Sequence, residues 1–210
     1  MLKTVVLFLS FIFLFSCNNT NEQSTTQNLT DYAKAVKPTP SVNDDSLVLN
    51  LKKQVLMALK NKDFKAFTEF MHPTLGVRFS PYAYVDTASD LSFKANDLLL
   101  QITKKKKINW GPYSAGEETI MMTVEEYFAR FVYDADFLNA EKSSLNDMIG
   151  GGTTTNNLKE TYKGCPFTES YFSGFDKKMD GMDWRSLRLV FKKQGDKYYL
   201  VGVVHDEWTT

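Results

Sequence analysis

Residues 183–208 read DWRSLRLVFKKQGDKYYLVGVVHDEW, and this stretch decides the fold. Two runs rich in β-branched and aromatic residues, 186–193 and 197–208, flank a turn at residues 194–196, which predicts a β-hairpin. Simple alternation divides the apolar residues of the second arm between two faces: Tyr199, Val201 and Val203 on one, and Tyr198, Leu200 and Val204 on the other. Because both faces are apolar, this arm is predicted to be a central strand covered on both sides.

Helical periodicity dominates much of the chain before the hairpin. Residues 46–60 predict an amphipathic helix, because apolar side chains recur at helical spacing: Leu47, Leu51, Val55, Ala58 and Leu59. Asp63 is predicted to cap a second helical segment that residues 72–73, His-Pro, bring to an end. Thr123 and Glu126 have the spacing of a capping box, so another helix is predicted to start there.

The segments between these helices carry more varied signals. Residues 76–85 suggest an extended segment, and Asp90 or Ser92 is expected to open a short helix. That helix ends in four lysines, residues 104–107. Cations at a helix C-terminus complement the helix dipole, and we favour this interpretation over a polyanion-binding site. Residues 110–116 are interpreted as a turn-rich connection because they contain two glycines and a proline.

The second half of the chain changes to the period of strands. A glycine run at 150–152 predicts an unusually free loop, whereas alternation over 167–173 predicts a strand. Helices followed by a hairpin-dominated sheet indicate the α+β class. We therefore predict one domain, residues 44–210, with N-terminal helices packed on a curved antiparallel sheet closed by the C-terminal β-hairpin.

The first 43 residues are not globular in character. Residues 1–16 combine Lys3 with a short apolar run, which predicts a secretory signal peptide because the run is too short to span a bilayer. Leu14-Phe15-Ser16-Cys17 resembles the lipobox of bacterial lipoproteins, in which the cysteine receives a diacylglyceryl group and becomes the mature N-terminus. Phe15 departs from the usual small residue at its position. Residues 17–43 are polar and are interpreted as a flexible tether that carries the lipid at Cys17.

Several motifs of the domain resemble known families. The kink at residues 62–64, residues 72–79 and the terminal hairpin resemble the nuclear-transport-factor-two-like superfamily of cone-shaped domains, which includes ketosteroid isomerase. VRFSPYAYV, FVYDADF, GMDWRSLRLVF and YYLVGVVHDEWT resemble a family of bacterial envelope proteins whose function is not established. The superfamily implies a cone-like fold, but it supplies no single activity because the same cone hosts enzymes and binding modules.

Composition argues against several functions. Twenty-five basic residues balance 25 acidic ones, so no global field favours nucleic acid. The residue spacings do not suggest a metal site or a bound cofactor, since no paired histidines or cysteines occur at ligand spacing. Cys165 precedes a proline without a nearby histidine and is interpreted as a structural thiol.

His205 is the strongest catalytic candidate near the end of the last strand. If its face lines a cavity, His205 could act as an acid or base that Asp134 or Asp136 orients. The alternative, which we favour, is a hydrogen-bonded histidine at a strand end. Four further residues are candidates for a binding surface, in competition with roles in the core or in ion pairs: Trp184, Arg185, Asp206 and Trp208.

These expectations combine into one hypothesis and one alternative. The chain is expected to be a membrane-anchored lipoprotein of the bacterial cell envelope, facing the periplasm or the exterior, with a domain that binds a small apolar ligand or an envelope protein without chemistry. The alternative is an isomerase or cyclase-like enzyme that uses His205 and a carboxylate in an apolar pocket.

The lipid anchor can be tested directly. Replacing Cys17 by Ala removes the thiol that would carry the lipid, so the protein is expected to leave the membrane fraction for the soluble fraction. Fractionation followed by immunoblotting measures this, with Ser16→Ala as a control because a small residue is kept before the cysteine. Membrane retention of the Cys17→Ala protein would rule out lipidation at this position.

Overall fold

The computed structural model describes residues 42–114, 116 and 118–209 of the chain. The helices in this part are α1 (Val42–Lys60), α2 (Phe64–Glu69), α3 (Ala95–Lys104), α4 (Val124–Phe131) and α5 (Leu158–Thr161). The strands are β1 (Val77–Ser80), β2 (Ser92–Phe93), β3 (Ile108–Pro112), β4 (Thr119–Met122), β5 (Lys142–Leu145), β6 (Phe167–Phe172), β7 (Arg185–Gln194) and β8 (Lys197–Glu207). The predicted signal peptide, Cys17 and nearly all of the predicted tether lie outside these residues.

A curved six-stranded sheet, in the order β2-β1-β8-β7-β6-β5, is the main framework of this α+β domain. Strands β7 and β8 form the predicted hairpin, with Gln194 paired to Lys197 across a two-residue loop in which Gly195 has φ 60°. Strand β8 lies between β1 and β7, which confirms that the last arm is a central strand. A second sheet consists of β3 and β4.

The predicted sheet geometry was wrong in two respects. Strand β1 runs parallel to β8, so the sheet is mixed and not antiparallel throughout. The long segment from β1 to β8 makes a parallel pairing possible, whereas a tight turn would impose an antiparallel one. The hairpin also occupies the centre of the sheet, which stays open with β2 and β5 as its edges.

A β-bulge in β8 changes which residues share a face. Val190 pairs with Gly202 but Phe191 pairs with Leu200, so Val201 is an extra residue in the ladder. Val203 consequently packs in one hydrophobic cluster with Leu200, and Val201 packs in another cluster with Val204. The two predicted face sets of the last arm were therefore wrong, because simple alternation does not anticipate the bulge.

Both faces of the sheet are covered. The larger cluster packs residues of α1 to α4 against β1, β7 and β8, with Phe67, Phe79 and Phe191 fully buried. The smaller cluster, on the other face, contains Leu158 of α5 and Phe167 of β6. The predicted packing of helices on one face thus holds for the first four helices, and α5 lies on the opposite side. Among the described residues, none of the helices is long and apolar enough to cross a bilayer.

Local sequence signals account for the starts of α2 and α4, whereas α1 begins at Val42, four residues before the predicted start. The Asp63 side chain accepts a hydrogen bond from the Ala66 amide, which confirms that Asp63 is the N-cap of α2. Thr123 and Glu126 form the predicted capping box at the start of α4. Helix α3 begins only after Lys94, so neither Asp90 nor Ser92 opens it.

The interpretation of residues 110–116 as a turn-rich connection was wrong in part. Trp110 belongs to β3, where its indole N–H donates to the Met122 carbonyl at 3.0 Å. Its ring stacks on Tyr127 of α4 with the centroids 3.7 Å apart. Burial of this ring pair holds the strand in place despite Gly111 and Pro112.

The capping box gives a prediction about stability. Thr123→Ala removes the acceptor for the Glu126 amide, and the free energy of unfolding is expected to fall by about 1 kcal/mol. Thr123→Ser keeps the hydroxyl and should stay close to the wild type. Urea unfolding followed by circular dichroism measures both variants, and equal stability of the alanine and serine variants would contradict the capping role.

Candidate functional site

His205 lies deep inside the domain, fully buried on β8. Its Nδ1 is 3.2 Å from the Pro81 carbonyl oxygen, and its ring packs edge-on against Phe131 of α4. Its Nε2 lies 3.3 Å from Asp134 Oδ1 without the alignment of a hydrogen bond. The structure therefore brings together His205 and Asp134, the first of the two predicted carboxylate partners.

Asp134 is the largely buried carboxylate that faces the His205 ring. A carbonyl oxygen only accepts hydrogen bonds, so the contact of His205 with Pro81 is a hydrogen bond when Nδ1 carries the proton. Burial opposes ionisation of Asp134, but the positive charges of His205 and Arg185 outweigh it and hold the pKa of Asp134 below its usual value.

Two arginines neutralise the carboxylates beside His205. Arg185 Nε lies 2.8 Å from Asp134 Oδ2 and 3.3 Å from Glu207 Oε2. Arg130 makes a bidentate contact with Glu207, at 2.6 and 3.2 Å.

Asp134, His205 and Glu207 offer ligand atoms within 4.8 Å of one another, which is close enough for a metal ion. The two guanidinium groups already supply the positive charge there, so we assign no metal to this cluster.

Asp136, the second predicted partner, lies elsewhere. It is exposed on the surface, where a hydrogen bond from Lys60 Nζ at 2.7 Å and others from Asn139 and Tyr133 lower its pKa to about 2. The sequence alone does not distinguish Asp134 from Asp136 as the partner of His205, because the two carboxylates are only two residues apart. Only the fold separates the buried one from the exposed one.

The four candidate binding residues have different environments. Trp184 is buried against Tyr171, and Arg185 is engaged in the ion pairs described above. Asp206 is buried and pairs with Arg188. Trp208, with 42% of its surface exposed, is the one of the four that presents a large apolar surface to solvent.

A second buried charge cluster lies around Arg188 of β7. The Arg188 guanidinium is fully buried and contacts Asp206 Oδ2 at 2.9 Å and Glu169 Oε1 at 3.1 Å. Glu169 is also fully buried and accepts a hydrogen bond from the Ser186 hydroxyl. Each buried charge thus has an opposite charge beside it, and Glu169 and Arg188 also make hydrogen bonds to neutral groups, although Arg188 Nε has no hydrogen-bond partner among the described residues.

This cluster fixes the glycine run that the sequence predicted to be free. The Gly150 amide donates to Glu169 at 3.0 Å, and the Gly150 carbonyl accepts from Arg188 at 2.8 Å. The Ile149 amide donates to Glu169 at 2.6 Å. Gly150 also lies so close to the Tyr171 ring that a Cβ would approach it to 2.9 Å. The prediction of an unusually free loop was therefore wrong at Gly150.

The residues that follow this loop help to form a pocket of about 380 Å³. Hydroxyl groups of Thr153, Thr154 and Thr209 form one part of its wall. Thr154 and Thr209 are joined through their hydroxyls at 3.0 Å, which connects the loop to the C-terminal end of the chain. The rest of the wall comes mainly from residues 81–90 and from β3 with the residues that follow it.

Aromatic side chains dominate the opposite part of the pocket. They are Tyr82, Tyr84, Trp110 and Tyr113. Tyr82 and Tyr113 both pack against Phe131, with ring centroids 5.8 and 6.4 Å apart, and Phe131 in turn contacts His205. The His205 cluster therefore lies behind the aromatic wall and supports it, and the described residues that line the pocket do not include His205.

Two carboxylates, Asp86 and Asp90, complete the lining. Asp90 Oδ2 accepts hydrogen bonds from the Ser80 hydroxyl and from the Asp86 amide, the latter at 2.9 Å. Burial raises the pKa of Asp90 to about 6 against the opposing hydrogen bonds. Hydrogen bonds from Ser89 and Ala88 lower the pKa of Asp86, so Asp86 is ionised at neutral pH.

Sequence reasoning missed most of this arrangement. The sequence presents Asp90 only as a candidate helix start, and Tyr82 and Tyr84 only as parts of an extended segment. Arg130, Glu169 and Arg188 carried no special signal, because a charged residue in an amphipathic helix or strand usually faces solvent. Charged residues within the apolar run of β7 are the one feature of the sequence that hints at a buried ion cluster.

Comparisons with known proteins add little to this description. No protein-family model matches the chain, and no curated protein matches it. The solved structure of a variant of the designed protein Rd1NTF2_05 matches over 78% of this chain and 98% of its own length, at 12% identity and a TM-score of 0.31. A likeness this weak supports no conclusion, so membership of the nuclear-transport-factor-two-like superfamily stays a prediction.

The Arg188 cluster gives a prediction about stability. Arg188→Met leaves Glu169 and Asp206 buried without a counter-charge, so the free energy of unfolding is expected to fall by about 3–5 kcal/mol. Chemical denaturation measures the change.

The matched control is Lys60→Met, which breaks an ion pair whose side chains are 39% and 44% exposed. Solvent screens that pair, so its loss should have a far smaller effect than Arg188→Met. Similar effects of the two substitutions would contradict a structural role of the buried cluster.

Proposed function

We propose that this chain is a lipid-anchored protein of the bacterial cell envelope whose cone-like domain binds a small ligand without catalysing a reaction. The observation that carries the ligand-binding part is the 380 Å³ pocket with its aromatic and carboxylate lining. Pockets of this size that combine apolar walls with a few polar groups are typical of small-molecule sites. The lipobox-like sequence at Cys17 and the polar residues after it support the envelope location.

The lining favours a ligand with polar groups over the purely apolar ligand expected from the sequence. Carboxylates at Asp86 and Asp90 and hydroxyls at Thr153 and Thr154 offer hydrogen bonds at several points of the wall. An apolar occupant would displace water from these polar side chains without offering polar groups in exchange, which costs free energy.

The catalytic alternative is less well supported. His205 and Asp134 do lie close together, as a general acid or base with its orienting carboxylate would. However, His205 is fully buried, and both of its ring nitrogens face protein atoms, the Pro81 carbonyl and the Asp134 carboxylate. A substrate in the pocket would meet the tyrosines in front of Phe131 and not the imidazole, so we assign His205 a structural role.

The position of the pocket suits a tethered binding domain. Asp44, in the first turn of α1, pairs with Lys193 near the tip of the β7–β8 hairpin. Strand β8 runs 11 residues from that tip, or about 35 Å, before Thr209 reaches the pocket wall. The first turn of α1 and the pocket therefore lie near opposite ends of β8.

Binding at this pocket can be mapped by NMR. Residues 18–210, which contain the whole described domain, would be titrated with a panel of small aromatic, polyol and amine fragments. Amide shifts are expected to cluster at residues 81–90, 110–114 and 153–154. Tyr84→Ala should weaken the binding of the best fragment about threefold or more, because Tyr84 offers a half-exposed ring (50%) to the ligand.

Phe175→Ala is the matched control, since Phe175 has an equally exposed ring (58%) outside the pocket. Fragment affinity should not change in this variant. Shifts that cluster elsewhere in the domain, or equal losses in the two variants, would overturn the proposed site.

A further inference from the structure

We propose that the pocket selects a small organic cation, a ligand with an amine or quaternary ammonium group, which sits between the Asp86 and Asp90 carboxylates and the neighbouring tyrosine rings. This inference rests on the proposed binding function and specifies its ligand class. Three observations support a cationic ligand: the charge of the residues that line the pocket, the tyrosine rings among them, and the buried Tyr127 hydroxyl next to them.

The lining is unbalanced in charge. Asp86 and Asp90 both contribute carboxylates, and among the described lining residues none is Lys, Arg or His. Arg78 is the nearest cation, but its guanidinium donates to the backbone carbonyls of Thr87 and Asp90 and is not part of the pocket wall. A cationic ligand would add a counter-charge inside the pocket, whereas a neutral ligand would displace water from the carboxylates without adding one.

The carboxylates are held in place before a ligand arrives. Asp86 accepts hydrogen bonds from the amides of Ala88 and Ser89, at 2.9 and 3.3 Å. The Asp90 amide donates back to the Asp86 carbonyl at 2.9 Å, which closes the loop between them. Fixed acceptors of this kind spare the ligand the entropic cost of ordering them.

Three tyrosine rings are available to a cation. Tyr82, Tyr84 and Tyr113 line the pocket and are all at least partly exposed, unlike Trp110, whose ring is buried against Tyr127. The face of an aromatic ring attracts cations, and ammonium groups are bound by combinations of such rings with a carboxylate. Aromatic and acidic groups thus favour the same ligand class.

A buried hydroxyl group next to the aromatic residues of the pocket is also consistent with a cationic ligand. Tyr127 Oη is fully buried and has no hydrogen-bond partner among the described residues. Burial, and next the charge of Asp90, raise its pKa well above the usual value. The hydroxyl therefore stays protonated and brings no positive charge to the carboxylates of the pocket.

The test compares isosteric probes. Calorimetric or NMR titration of residues 18–210 at pH 7.5 would use choline, its neutral carbon isostere 3,3-dimethylbutan-1-ol, and glucose. Choline is expected to bind with at least about fivefold higher affinity than the isostere, because only the charge differs. Its amide shifts should include residues 81–90.

Variants locate the source of the selectivity. Asp86→Asn and Asp90→Asn each keep the size of the side chain and remove one charge, and each should weaken choline binding about fivefold or more while leaving the isostere unaffected. Glu69→Gln, an exposed acid outside the pocket lining, is the matched control and should change neither affinity. Thermal melting verifies that each variant is folded.

The pH dependence gives an independent readout. The titratable groups facing Asp90 are Asp86, Arg78, Tyr127 and Tyr162; the pKa of Asp86 is lowered, and burial raises the pKa values of Tyr127 and Tyr162. Since the pKa of Asp90 is about 6, protonation of Asp90 should weaken choline binding several-fold between pH 7.5 and pH 5. The Asp90→Asn variant should lose this dependence.

The outcomes separate the two proposals. Choline selectivity that depends on Asp86 and Asp90 supports the cationic ligand. Equal binding of choline and its isostere, or binding of glucose alone in the pocket, would overturn the ligand class but leave the binding function standing. If neither these probes nor the fragment panel shift the pocket residues, both proposals fail.

Discussion

The buried Arg188 guanidinium is the interaction on which most of this structure depends. It sits on the central strand β7 and joins Glu169 of β6 to Asp206 of β8, so one side chain links three adjacent strands beyond their backbone ladder. Its remaining contact is the carbonyl of Gly150, outside the sheet. The ion cluster therefore orders both the middle of the sheet and the loop that packs on it, and its ion pairs and hydrogen bonds together offset the cost of desolvating its charges.

Alternation along β8 places a second charged cluster on the opposite face. His205 and Glu207 point toward α4, while Asp206 between them points to Arg188. The His205 cluster supports the aromatic residues of the pocket through Phe131, and the Arg188 cluster holds the loop that leads to Thr153 and Thr154. Both parts of the pocket lining are thus supported from the two faces of one strand, by charged residues that do not themselves belong to the described lining.

Much of the fold could be predicted from the sequence because its signals are local. The capping box at Thr123, the cap at Asp63 and the hairpin around Gly195 each depend on a few neighbouring residues. The parallel pairing of β1 with β8 and the bulge at Val201 could not be predicted, since both depend on contacts between distant segments. The candidate site shows the same division. Residue types alone suggested a carboxylate, Asp134 or Asp136, beside His205, and the structure places Asp134 there. The pocket around Asp90 could not be predicted in this way, because its lining residues are spread from 81 to 209.

The attachment of Gly150 to both members of a buried ion pair changes how the following loop can move. Opening this loop by itself would strip hydrogen bonds from Glu169 and Arg188 inside the core, so its local unfolding is coupled to disruption of the sheet. A run of three glycines, usually the most mobile kind of segment, is anchored here at its first residue. The threonine side of the pocket accordingly belongs to the cooperative folding unit of the sheet, and a ligand would meet a wall that is already in place.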